Sequence, residues 1–152
     1  MPKVLSRKFG AIDYAAGEQF VFPNGLPGFP LETAFLPIEV PEQLPLLYLQ
    51  SLRTPDLCFV GVPVNCIVAD YELSPNADDL ACIGLSPDAQ PGSEMLCLAL
   101  VCFKEDGTGA ANLRAPIIIN VNNRMAVQMI QIEDRYPFRF PLNPEKEVTM
   151  CS

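Results

Sequence analysis

The stretch Ala-Asn-Leu-Arg-Ala-Pro-Ile-Ile-Ile-Asn-Val, residues 111–121, decides the fold class. An extended chain sends alternate side chains to opposite faces, so parity sorts these residues. One face carries Leu113, Ala115, Ile117, Ile119 and Val121, all apolar. The other carries Asn112, Arg114, Pro116, Ile118 and Asn120, which is mixed and mostly polar. That is the pattern of a half-buried strand. Pro116 has no N–H to give a neighbour, so the strand is expected to bulge there or to lack a neighbour on that side. A helix is disfavoured by the same proline and by three consecutive isoleucines, which are stiff at χ1.

Outward from this segment the chain reads as a meander. Residues 95–104 form the strand before it, joined through Asp106-Gly107-Thr108-Gly109. Asn122-Asn123 turns the chain into a strand at 125–132, and a last strand lies around 135–140. Residues 95–103 are apolar on both faces, so both sides must be covered. One side suits a barrel interior, and the other needs a loop, a short helix or a partner.

Nearer the N-terminus, residues 9–14 and 19–22 bracket Ala15-Ala16-Gly17-Glu18 as a first hairpin. Residues 22–29, Phe-Pro-Asn-Gly-Leu-Pro-Gly-Phe, hold two successive turns. Asn24-Gly25 tolerates positive φ, and Leu26-Pro27-Gly28-Phe29 suits a type II turn with Pro27 and Gly28 at its centre. The expected result is a structural corner pinned by Phe22 and Phe29. Strands follow at 33–40, 46–52, 57–64 and 67–71. Ser74 as cap, Pro75 at the first helical position and the acids Asp78 and Asp79 predict one short helix, closed by Gly84.

The fold class expected is therefore all-β: a small antiparallel β-barrel-like domain with one short helix. At 152 residues the chain is most simply a single domain, with a core over about 9–140 and a polar tail at 141–152 that frays.

Composition narrows the function. The longest unbroken apolar run covers nine residues, 95–103, whereas a spanning helix needs about 20, so no membrane crossing is predicted. Positive charge near the N-terminus has no apolar run behind it, which predicts no secretion signal and a cytoplasmic location. Ten lysines and arginines against 18 acids give a net charge of −8. Direct nucleic-acid binding is disfavoured, because phosphate neutralisation supplies most of that affinity. An acidic surface suits basic partners, and it equally serves solubility.

Chemistry is hard to find. The chain has no histidine, which removes Ser-His and Cys-His activation, most zinc sites and the commonest general base. No cofactor or metal is expected. The carboxylate pairs Asp78-Asp79 and Glu133-Asp134 are adjacent in sequence and read as solvated surface. The six cysteines, at 58, 66, 82, 97, 102 and 151, form no C-x-x-C and read as reduced, buried thiols acting as small hydrophobes. An acidic, mostly antiparallel β domain without a visible active site most often works by binding. The alternative is a small-molecule-binding barrel or a cysteine-dependent enzyme, with Cys58 or Cys102 as nucleophile.

Four stretches together resemble one family: residues 22–29, Leu49-Gln50-Ser51 followed by Thr54-Pro55-Asp56, Asp70-Tyr71, and residues 112–120 with Gln128 beyond. Their order and spacing are similar to the bacterial flagellar assembly factor FliW family, over about residues 9–140. One departure is Gly109-Ala110-Ala111-Asn112, where the family often has a threonine before the asparagine. The resemblance implies a non-enzymatic regulator that binds flagellin and the RNA-binding translational repressor CsrA. Release of flagellin by export would free the factor to take CsrA off the flagellin message.

On that reading, Asp70, Glu72, Asp78 and Asp79 are the candidates for a basic partner. Leu96, Leu98, Leu100 and Ile118 are the candidates for an apolar groove that holds flagellin's amphipathic helices. Arg114 lies on the polar face, free to pair with an acid. Asn24, Gly25, Pro27, Gly28, Asn112, Pro116 and Asn120 are read as structural, with the two strand asparagines capping backbone groups.

Overall fold

The computed structural model describes residues 1–142. The elements are β1 (Lys3–Ser6), β2 (Gly10–Asp13), β3 (Phe20–Val21), β4 (Ala34–Glu39), β5 (Leu47–Ser51), β6 (Cys58–Pro63), α1 (Ala77–Cys82), β7 (Met95–Phe103), β8 (Gly109–Asn120), β9 (Ala126–Gln128) and β10 (Phe140–Leu142). The main sheet runs β10-β8-β7-β6-β5-β4-β3, with β9 also on β8. Every strand pair in it is antiparallel. A parallel bridge from Val21 to Met125 brings the far strand round to the start of β9, so the sheet nearly closes into a barrel. The all-β class with one short helix is as expected.

β7 is the wall between two cores. Its even residues Leu96, Leu98 and Leu100 face the barrel interior, with Phe22, Phe35, Leu49 and Ile117. Its odd residues Met95, Cys97, Ala99 and Val101 face a second core beneath α1 and the preceding loop, with Tyr71, Leu73, Leu80 and Ile83. The cover expected over an all-apolar strand is thus the helix and its loop.

β8 bulges at the proline, but further than its sequence suggests. Leu98 pairs with Ile117 and Leu100 with Asn112, so two steps along β7 match five along β8. Three additional residues are an odd number, and the pleat inverts across them. Ala111 and Leu113 lie in the outer core, whereas Ile117 and Ile119 lie in the barrel. The expectation of one alternating face is corrected accordingly. Ile118, placed on the mostly polar face, is fully buried in the outer core, and Val121 is exposed.

The bulge's backbone groups find partners in side chains and in the next segment, as buried amides must. Asn112 Oδ1 accepts from Ala115 N–H at 2.9 Å. The Leu113 carbonyl accepts from the Tyr71 hydroxyl at 2.6 Å and from Gln131 Nε2 at 2.8 Å. Gln128 Nε2 donates to the Ala115 carbonyl at 3.1 Å. At the strand's far end, Asn120 Nδ2 donates to the Ile83 carbonyl at 2.8 Å, and its Oδ1 accepts from Asn122 N–H at 3.0 Å.

Other expectations need correction. The first hairpin is β1–β2, turning at residues 7–10 with Gly10 at φ +77, and not the pairing of 9–14 with 19–22. Residues 67–71 are not a strand; a short 3₁₀ turn, Val64–Cys66, starts that loop. Asn76, not Ser74, caps α1, its Oδ1 accepting from the N–H groups of Asp78 and Asp79. Ser74 is instead held by Gln131, whose Oε1 accepts from its backbone N–H at 2.8 Å. The last strand is residues 140–142, so two residues assigned to the frayed tail belong to β10. The rest of that tail, with Cys151, lies outside the described residues.

Candidate functional site

Three of the stretches that carry the resemblance work inside the fold. Gln50 is fully buried, and its Nε2 donates to the carbonyls of Ser51, Pro55 and Leu57 at 3.1–3.2 Å. Its Oε1 accepts from Ser6 Oγ at 2.7 Å, tying the β1–β2 hairpin to the barrel. Ser51 and Thr54 donate to the two carboxylate oxygens of buried Glu32. In the corner at 22–29, Gly25 has φ +69, and a Cβ there would lie 2.6 Å from the Pro30 carbonyl oxygen. Leu26 and Phe29 exchange backbone hydrogen bonds around Pro27 and Gly28. The 112–120 strand carries the bulge already described. These residues build the barrel and are not surface chemistry.

The region that combines exposure with built geometry joins residues 70–79 to residues 129–136. Tyr71 is buried and stacks on Tyr136, ring centroids 4.4 Å apart and 17° from parallel. Burial raises the Tyr71 hydroxyl well above the ordinary tyrosine range, which keeps it neutral and able to donate to Leu113. Gln131 bonds the same hydroxyl at 2.6 Å. Glu72 N–H donates to the Tyr136 oxygen at 3.0 Å. Arg135 reaches Glu72 at 2.6 Å and Glu133 at 3.8 Å. The hydrogen bond that Arg135 donates to the Glu72 carboxylate raises the arginine's pKa. Between the two segments lies an open groove of about 450 Å³ lined by Glu72, Leu73, Ser74, Pro75, Gln90, Ile132, Glu133 and Arg135.

The remaining candidates scatter. Asp70 and Asp78 are exposed and Asp79 is partly covered. Asp79 has its pKa raised, first by burial and then by the neighbouring charge of Asp78. Glu72 belongs to the groove through Arg135. The proposed apolar lining is not a groove: Leu98 and Ile118 are fully buried and lie in different cores. Leu96 and Leu100 are partly buried against the barrel interior. Arg114 sits 5.3 Å from the Phe138 ring centroid instead of pairing with an acid.

Sequence reasoning passed over Gln131 and Arg135, and took Glu133 for plain solvated surface. The usable signal was the run of residues 129–132, Met-Ile-Gln-Ile, whose buried glutamine and exposed isoleucines invert the usual polarity.

The thiols divide as well. Cys97 is buried, and burial raises its pKa far above the thiol range. Cys58 is half-buried and also raised, burial outweighing the opposing effect of Lys8. Cys82 and Cys102 are exposed free thiols, contrary to the expectation of burial. Cys66 is buried but is not a free thiol, which corrects the expectation there.

The barrel interior, between Phe22, Leu26, Phe35, Leu49, Phe59, Leu100 and Ile117, leaves no room for a water-sized molecule. Among the described residues no group of three or more cysteines, aspartates or glutamates stands close enough to hold a metal ion. No helix among them is long and apolar enough to cross a membrane.

Fold and surface together define a class: a side-chain-filled antiparallel barrel whose built features face outward. The model of the family described as FliW protein matches residues 3–142. The flagellar assembly factor FliW 2 of Desulfotalea psychrophila is 34% identical over 138 residues, covering 91% of this chain and 89% of that protein. The flagellar assembly factor FliW of Natranaerobius thermophilus is 32% identical, covering 92% and 91%. A crystal structure of the flagellar assembly factor FliW superposes with a TM-score of 0.80 at 28% identity, over 95% of this chain and 99% of that one. The chain belongs to the FliW family of flagellar assembly factors.

Proposed function

We propose that this protein binds flagellin in the cytosol and antagonises a CsrA-type translational repressor, so that flagellin synthesis resumes when flagellin is exported. It does so by binding, with no reaction of its own. The observation that carries this reading is the match to flagellar assembly factors along nearly the whole chain. The net charge of −8 supports it, since it favours encounter with a basic RNA-binding protein. The acids Asp70, Glu72, Asp78 and Asp79 are the contacts we assign to that partner.

Mixing the purified protein with flagellin, and separately with the repressor, tests the reading by sizing chromatography. Each mixture is expected to give a heavier species containing both proteins. Elution of the components at their separate positions in both mixtures would end it.

A further inference from the structure

Among the described residues, the outer edge of β9 and its continuation has no strand beside it. Val127 pairs with Ile118 and Gln128 with Ile117. Past β9 the chain stays hydrogen-bonded to β8, Met129 N–H to the Pro116 carbonyl at 3.0 Å and Gln131 N–H to the Arg114 carbonyl at 3.1 Å. Odd residues therefore turn their backbone inward to β8, and the side chains of Met129 and Gln131 are buried. By the alternation of an antiparallel ladder, Gln128 and Ile130 turn their N–H and C=O groups to the opposite edge.

Among the described residues, that edge is occupied only at its start, where Val21 N–H donates to the Arg124 carbonyl at 2.9 Å. The chain then turns away into the corner at 22–29. Among the described residues no backbone group meets Gln128 or Ile130 from outside.

Edges of this kind are ordinarily guarded by a lysine, a proline or an inward charge. Residues 126–132, Ala-Val-Gln-Met-Ile-Gln-Ile, contain none. Instead Ile130 and Ile132 are 53% and 70% exposed beside it. Just beyond stand Glu133 and Asp134, and the single guanidinium of Arg135 is shared between Glu72 and Glu133. This end of the edge is net negative.

We propose that residues 127–132 receive an extended, basic segment of a partner polypeptide by strand addition. Its backbone bonds Gln128 and Ile130, its apolar side chains cover Ile130 and Ile132, and a lysine or arginine meets Glu133 and Asp134. A second copy of this chain fits poorly, because it would bring acid against acid. The open edge, its exposed isoleucines and its flanking acids define the site whichever partner the protein serves.

The probe is the capped peptide acetyl-Lys-Val-Lys-Val-Lys-Val-Lys-amide, added to the intact protein while amide hydrogen exchange is followed by NMR. Exchange at Gln128 and Ile130 is expected to slow about tenfold or more at saturation, as for amides that gain a strand partner. The same peptide with N-methylated valines, or with glutamate in place of lysine, is expected to protect neither amide.

Ile130→Pro removes an outward N–H while sparing the inward bonds, and should abolish protection at Gln128. Ile130→Lys keeps the backbone and should weaken peptide binding about tenfold by losing an apolar contact and adding like charge. Absence of protection, equal protection by either control peptide, or protection that grows with protein concentration alone would overturn the proposal.

Discussion

Gln131 shows how much one side chain can hold. Its amide joins the Tyr71 hydroxyl, the Leu113 carbonyl and the Ser74 backbone, so three segments meet on it. Gln131→Ala leaves buried polar groups without partners and is expected to cost about 2–3 kcal/mol of stability, read from urea unfolding. Asp79 carries a signed prediction. Its raised pKa means the folded state prefers the protonated carboxyl. Its contribution is therefore complete below the ordinary aspartate range and is lost as pH rises through the raised value. Asp79→Asn should raise Tm at neutral pH and leave it unchanged in strong acid. The thiols give a third test. Cys82 and Cys102 should react with a thiol reagent in the native protein, and Cys97 only after denaturant is added. At this scale Asp70, Glu72 and Asp78 were legible as surface, because charge resists burial. Leu98 and Ile118 were misjudged, because an apolar side chain reads alike whether it faces a core or a partner.

Among the elements, β7 and β8 were legible because their apolar runs are long and bounded by turns. The size of the bulge was not. Pro116 announces that a hydrogen bond is missing, but nothing local says how many residues the neighbour skips. The same gap hid the parity change at Ile117. Likewise α1 was placed correctly but capped wrongly, since Ser74 and Asn76 are comparable caps and only the contact with Gln131 decides between them. Two substitutions separate the bulge from the core beside it. Pro116→Ala restores an N–H opposite the inward-turned carbonyl of Met129, whose own N–H already bonds the residue 116 carbonyl, and should change stability by no more than about 1 kcal/mol. Ile118→Ala, emptying a fully buried site, should cost roughly 2–5 kcal/mol in the same unfolding measurement.

For the whole molecule, the near-closed barrel follows from the meander order, but its seam depends on one bridge between residues 104 apart, Val21 and Met125, which no local pattern foretells. The charge of −8 acts at this scale too, through approach more than grip. Asp78→Lys with Asp79→Lys should slow association with the basic repressor and flatten its dependence on salt, measured by stopped flow. Unchanged rates would remove these two acids from the partner surface.

The inverted pleat of β8 also governs how this chain can vary in length. Dropping one residue between positions 112 and 117 would swap the company of every isoleucine after it, whereas dropping two would restore each to its own side. Kindred proteins should therefore lengthen or shorten here by even steps, a parity law written by the geometry of a single kink.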